Sequence, residues 1–158
     1  MNIRIGQGID FHRLENGLNL WLGGVNIPSE KGCIAHSDGD VLLHAICDAL
    51  LGASGLRDIG YHFPDNSPEF KNIDSKILLE KTIVFVKEKG FKVINIDSTI
   101  CLEKPKISSF IPQMKVIIGT IVGIDPESVS VKATTTEKLG FTGREEGVMA
   151  IAVTLLSK

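Results

Sequence analysis

Near its start the chain runs Gly6-Gln7-Gly8-Ile9-Asp10-Phe11-His12. In an extended strand successive side chains alternate between faces, so Asp10 and His12 point the same way. A carboxylate beside an imidazole is half of a metal site, and whatever supplies the other half must pack against this strand. Gly8 either lets another element approach the strand end closely or marks a bulge; the local sequence leaves both readings open. A dinucleotide fingerprint is ruled out, because position 11 is Phe and no helical pattern begins after Gly8.

The remaining periodicities predict a mixed architecture. Ile3–Asp10 reads as a first strand, and Leu18–Leu22 with Val25–Ile27 as a short hairpin around Gly23-Gly24. Ser37-Asp38-Gly39-Asp40 precedes the apolar run Val41–Leu51, which predicts a helix with a polar cap, an acidic first turn and an exit at Gly52. Leu56 to Asn72 shows no steady period and reads as a long loop, a type that is functional or disordered. A second helix is expected from Asp74-Ser75 to Gly90, and a third over Gln113–Val122 behind Pro112. Lys92–Leu102 alternates, with Ile94, Ile96, Ile100 and Leu102 expected on the buried face; Val129–Thr135 and Val148–Leu156 read as further strands. Without a strict βαβα rhythm, the expectation is a single α+β domain over residues 1–158.

His44 falls in the predicted first helix, one turn after Asp40 and one turn before Asp48. A lone histidine there is ordinarily a satisfied core residue, and Asp-x-His alone is ordinarily a polar strand end. Taken together, Asp10, His12 and His44 supply one oxygen and two nitrogens. Three protein ligands with a position left open are the composition of a catalytic zinc site, although spacing leaves Fe(II) and Mn(II) open as well.

A second cluster, Lys132-Ala-Thr-Thr-Thr-Glu137-Lys-Leu-Gly-Phe-Thr-Gly-Arg144, is dense in hydroxyls around a carboxylate. It suits a phosphate cradle with a hard cation, or simply a Thr-rich strand. A third, Glu103-Lys104-Pro105-Lys106, reads by itself as a solvated basic turn.

Gly6-x-Gly8-x-Asp10-x-His12, Ala35-His36-Ser37-Asp38-Gly39-Asp40-Val41, Asp58-Ile59-Gly60, Phe63-Pro64-Asp65, Lys104-Pro105-Lys106 and Lys132–Arg144 occur in that order along the whole chain. In this order they resemble the 2-C-methyl-D-erythritol 2,4-cyclodiphosphate synthase family of the non-mevalonate isoprenoid pathway. The resemblance implies a mixed sheet with helices packed on one face, and a homotrimer with its sheets around a central axis and active sites between subunits. It implies conversion of 4-diphosphocytidyl-2-C-methyl-D-erythritol 2-phosphate to the cyclic diphosphate and CMP.

By the same resemblance Asp10, His12 and His44 bind Zn2+, and Glu137 holds a second divalent ion, Mg2+ or Mn2+. His36 and Thr135 match transition-state stabilisers, and Asp58, Ile59 and Gly60 match contacts to the methylerythritol part. Phe63, Pro64, Asp65, Asn66 and Ser67 match a flexible substrate loop, with Ser37 beside His36 in the substrate site. Leu102, Glu103, Lys104, Pro105, Lys106, Ile107 and Ser108, with Thr134, Thr135, Thr136 and Glu137, match the cytidine and phosphate pocket. Phe141, Arg144 and Glu146 match positions near the trimer axis, where members can hold an isoprenoid diphosphate. Gln7 and Tyr61-His62 depart from the common pattern.

Two rivals use the same residues: a metal-dependent phosphohydrolase that activates water, and a non-catalytic trimer that binds isoprenoid diphosphates. The bulk numbers narrow the partners. A net charge of −2 offers no basic excess for nucleic acid or an anionic membrane. Cys33, Cys47 and Cys101 are not in C-x-x-C spacing and read as free thiols of a reducing compartment. With no signal-like or 18-residue apolar run, a cytoplasmic location is expected.

Overall fold

The computed structural model describes residues 2–158, and its architecture follows from the long first strand. β1 (Ile3–Asn16) is flanked by β4 (Lys31–Ile34) and β7 (Gly147–Ser157). With β5 (Lys92–Cys101) and β6 (Val129–Thr134) they form a five-stranded sheet in the order β4-β1-β7-β5-β6. The β5–β6 pair is parallel and the other three pairs are antiparallel, so the sheet is mixed and the fold is α+β. β2 (Leu20–Leu22) and β3 (Val25–Ile27) form the expected separate hairpin.

Helix α1 (Val41–Ala53) lies directly on β1 and β7. The glycines of β1 make this possible. A Cβ at Gly6 would sit 1.9 Å from the carbonyl oxygen of Ala49, and one at Gly8 would sit 2.0 Å from that of Ala45. Helix backbone therefore occupies the space where side chains would stand, so Gly8 serves close approach rather than a bulge. Leu42, Leu43, Ile46 and Leu50 of α1 are fully buried between the sheet and α3 (Ser75–Glu88), and α4 (Ile111–Val122) packs beside α3 and β6.

The other face of the sheet is open along most of β1. Ile5 is 73% exposed, and Ile3, Ile9, Phe11 and Val153 are also exposed, although strands of this composition ordinarily bury such residues. Among the described residues no helix is long and apolar enough to cross a membrane, and Cys33, Cys47 and Cys101 are free and buried.

Several boundaries differ from expectation, each for a local reason. β1 continues six residues past Asp10, because Arg13 is paired on both sides, to Ile34 and to Gly147. β4 is four residues long and carries no alternation that would announce it. Gly52 lies inside α1; the helix is capped by Ser54, and Gly55 takes the left-handed turn at φ +70°. The first turn of α1 holds no acid, since Asp40 is the N-cap itself. A bulge between Val93 and Asn95 shifts the phase of β5, so Ile94 faces solvent while Ile96, Ser98 and Ile100 are buried. The long loop contains α2 (Ile59–His62) and a 3₁₀ turn at Pro68–Phe70, pinned by an edge-on Phe63–Phe70 contact. The four-residue α5 (Gly140–Gly143) precedes β7.

Candidate active site

Asp10 and His12 leave β1 on the face covered by α1, and His44 comes down from α1 to meet them. One donor atom from each lies within 4.8 Å of the others, forming the one such His/Cys/Asp/Glu group among the described residues. Nδ1 of His12 and Nδ1 of His44 are each 3.1 Å from Oδ2 of Asp10. Ligand atoms around a tetrahedral zinc with ~2.0–2.1 Å bonds stand about 3.3 Å apart, so the set has the size of an ion site.

The chemistry of these atoms agrees. Nδ1 of His12 is buried and makes no hydrogen bond of acceptable geometry to anything nearby. Burial alone would raise the pKa of Asp10, but the two imidazoles outweigh it and hold the carboxyl well below the usual range. Burial likewise works against a charged His12, and the Asp10 carboxylate reverses that and raises its pKa above 6.5. A negative oxygen beside two imidazole nitrogens is a pairing that a proton or a cation completes. Cys33 does not join the donor group, and burial with the nearby carboxylates of Asp40, Asp10 and Asp38 pushes its thiol up to about 12.

The segment before α1 is held from several sides. Asp40, fully buried, accepts N–H bonds from Leu43 at 3.0 Å, Gly23 at 2.9 Å and Gly24 at 2.7 Å, tying the β2–β3 hairpin to the helix start. The backbone N–H of Asn72 donates to the carbonyl of His36, and that of Asp38 to the carbonyl of Ile73. Nε2 of His36 sits 3.4 Å from the carbonyl oxygen of Ser67. Asp48, one turn beyond His44, accepts the N–H of Ile59 at 2.7 Å, while Asp58 caps α2 by accepting the N–H of Tyr61.

These elements enclose a cavity of about 530 Å³, a size suited to a small-molecule ligand. It is lined by Asp10, His12, His36, Ser37, His44, Ile59, Gly60, Phe63, Pro64, Asp65 and Asn66, among others. Asp58 and Ser67 are not among the lining residues.

The rest of the expected site lies elsewhere in the chain. Thr134 ends β6, three strand positions from β1, or about 14 Å at ~4.8 Å per strand. Thr135, Thr136 and Glu137 follow it in an exposed turn, where the Thr135 hydroxyl donates to Oε1 of Glu137 at 3.1 Å. Glu137 and Lys138 both adopt left-handed backbone, at φ 53° and 64°, a strained conformation that concentrates at functional loops. Lys104, Pro105 and Lys106 border a separate hollow, where Lys104 pairs with Glu145 at 3.0 Å. In the same segment the side chains of Leu102 and Ile107 are buried, Ser108 is exposed, and Glu103 is half-buried with its Oε2 enclosed and without a hydrogen-bond partner. Phe141 stands 5.9 Å from Phe11 on the open side of the sheet, and Arg144 makes a two-point pair with Glu146.

Two residues near His44 were legible in the sequence only as helix caps. Nε2 of His44 lies 2.9 Å from the hydroxyl of Ser75, which donates to Asp38. Ser75 is 37 positions from Asp38 in sequence, and only the packing of α3 on α1 brings them together.

The model of the YgbB family matches residues 3–157. The chain belongs to that family. Within it, the chain is 58% identical over 158 residues to the 2-C-methyl-D-erythritol 2,4-cyclodiphosphate synthase of Bacteroides fragilis, covering 100% of this chain and 99% of the relative. Among solved structures, a 2C-methyl-D-erythritol-2,4-cyclodiphosphate synthase in a CDP-bound form superposes with a TM-score of 0.90 at 36% identity, over 98% of this chain and 100% of that one. The bifunctional IspDF from Campylobacter jejuni superposes with a TM-score of 0.94 at 44% identity; the match covers 98% of this chain but 42% of that protein. Both solved structures thus share this chain's fold over 98% of its length.

Proposed function

We infer that the chain is a 2-C-methyl-D-erythritol 2,4-cyclodiphosphate synthase, a phosphorus-oxygen lyase. It converts 4-diphosphocytidyl-2-C-methyl-D-erythritol 2-phosphate to 2-C-methyl-D-erythritol 2,4-cyclodiphosphate and CMP. The observation that carries this reading is the convergence of Asp10, His12 and His44 in a ligand-sized cavity, in a chain matched to the family along its whole length.

The reaction needs no nucleophile from the protein. An oxygen of the substrate's 2-phosphate forms a bond to the β-phosphorus. The bond from that phosphorus to the bridging oxygen breaks, and CMP leaves with the electron pair. Since the phosphate is already anionic, the protein's work is to position reacting groups and offset charge. Asp10, His12 and His44 are the residues that would hold zinc; when bound, the ion supplies Lewis-acid stabilisation to phosphate oxygens. Glu137 would hold a second divalent ion, Mg2+ or Mn2+.

His36, an exposed residue of the cavity lining, and the hydroxyl of Thr135 donate to phosphate oxygens as charge builds. Asp58, Ile59 and Gly60 orient the methylerythritol part, held against α1 through Asp48. Phe63–Ser67 close over it, and Leu102–Ser108 with Thr134–Glu137 take the cytidine and its phosphates. Ser37 lies beside His36 in the same lining.

The active unit on this reading is a homotrimer with its sheets around a central axis. Two observations support it. The apolar open face of β1 and β7 lacks a cover, and the residues assigned to one reaction stand in two separate places on a single chain. Phe141 and Arg144 would then approach the axis, where an isoprenoid diphosphate could bind. The test is a metal-replete assay with the cytidyl substrate, following CMP by chromatography and the product by phosphorus NMR. Cyclic diphosphate with stoichiometric CMP is expected; hydrolysed monophosphates would instead identify a phosphohydrolase, and binding without turnover a sensor.

A further inference from the structure

We propose that Asp38 and Ser75 are positioning residues that lock the His44 ring in the tautomer protonated at Nε2, so that Nδ1 is presented bare as a metal donor. The inference rests on the metal reading of the site and adds two residues to it.

Protons can be counted along the chain of contacts. Both oxygens of Asp38 are acceptors: Oδ1 takes the N–H of Asp40 at 3.1 Å and Oδ2 the N–H of Ser75 at 2.9 Å. The hydroxyl of Ser75 lies 2.5 Å from Oδ1 of Asp38. A serine has one hydroxyl proton and a carboxylate has none to give, so that proton points to Asp38. The oxygen of Ser75 therefore turns a lone pair toward Nε2 of His44, 2.9 Å away. Ser37, whose hydroxyl oxygen lies 3.2 Å from the same nitrogen, can accept there as well, its role following the ring's tautomer.

A neutral imidazole carries one N–H. With that proton on Nε2, Nδ1 keeps its lone pair and faces Oδ2 of Asp10 at 3.1 Å, where a cation reconciles the two acceptors. In the opposite tautomer Ser75 would donate to Nε2, leaving a lone pair of its own buried oxygen against Oδ1 of the half-buried Asp38. Two acceptors in contact without water are costly. The Nε2–H tautomer carries an acceptor contact of its own, Nδ1 against Asp10, but Asp10 opens on the cavity whereas Ser75 is fully buried, so the geometry favours that tautomer, a role that partners of metal-bound histidines commonly serve. It also gives α3 a part in the site although α3 contributes no ligand.

The experiment uses full-length protein with ¹⁵N-labelled histidine. In the metal-free wild type at pH 8.5, long-range ¹H–¹⁵N correlations should show His44 protonated at Nε2 and not at Nδ1. In Ser75→Ala the ring should become a mixture of tautomers, and zinc affinity, read by chelator competition, should fall about 10–100-fold. Circular dichroism checks that the variant folds; should it not fold, the wild-type tautomer decides. An Nδ1-protonated His44 in the wild type overturns the proposal. So does a folded Ser75→Ala with the wild-type tautomer and zinc affinity, the outcome expected if Ser75 merely helped to start α3. A wild type that shows the Nε2 tautomer but takes up no zinc counts against the metal reading alone.

Discussion

The Asp10/His12/His44 cluster and the Thr134–Arg144 segment are both assigned to phosphate chemistry, yet they are built in opposite ways. The first is part of the core. Its ligands stand on an interior strand and on a helix whose apolar side chains are all buried, and its surroundings are held by Asp40 and Asp38. The second begins as an exposed turn after an edge strand, with Thr135 and Glu137 bonded mainly to each other and three residues, Glu137, Lys138 and Gly140, in left-handed backbone. The difference teaches where each half gets its geometry. Packing within one chain sets the donor set, whereas on the proposed reading the hydroxyl turn awaits another surface to face it. A neighbouring copy resting on the open sheet face provides that surface in the proposed trimer.

Removing a ligand from the core half should have the largest effect. His44→Ala is expected to lose zinc and to lower kcat by at least about 10³-fold, with the oligomeric state unchanged; metal analysis and CMP release check it. A variant that keeps stoichiometric zinc and normal turnover would break the assignment. Thr135→Ala in the exposed half should lower kcat by about 10²–10³-fold while zinc content stays at the wild-type level. If the loss fell on KM alone, Thr135 would not be acting on the transition state.

Gly8→Ala sharpens the claim that packing positions the metal half. Its new methyl would meet the Ala45 carbonyl at 2.0 Å, so a loss of about 3 kcal/mol or more is expected, with a lowered Tm. Wild-type stability would mean that α1 can lift from β1 without cost. The smallest effect is with pH. The pKa of His12 is raised above 6.5, so its proton is retained to higher pH and competes with the ion. Zinc affinity should therefore fall as pH drops through neutrality, by up to about tenfold per unit. Calorimetric titration at several pH values checks this, and pH-independent binding would rule out His12 as a ligand.

Much of this contrast was legible in the sequence, and the remainder was hidden for identifiable reasons. Asp10 and His12 share a face because they sit two apart in a strand, and His44 is recognisable as one turn from Asp40 in a capped helix. Gly8 signalled either a bulge or a close approach, and only the contact with the Ala45 carbonyl decides between them. The true length of β1 was hidden because Asp10-x-His12 looks like a strand end, whereas pairing on both sides carries the strand on to Asn16. The extra residue in β5 reversed the face of Ile94, since alternation cannot be extrapolated through a bulge. Asp38 and Ser75 look like ordinary helix caps in sequence, and their convergence on His44 is a product of tertiary packing.

The central claim is that one active site takes its metal half from one copy and its hydroxyl half from another. Mixing tests it directly. His44→Ala and Thr135→Ala chains, each nearly inactive alone, are combined in equal amounts under conditions that exchange subunits, and CMP release is measured. Random trimers should place an intact metal half against an intact hydroxyl half at about one interface in four, restoring about a quarter of wild-type activity. If both halves belong to the same chain, the mixture will show no more than the average of the two residual activities, and the account is contradicted.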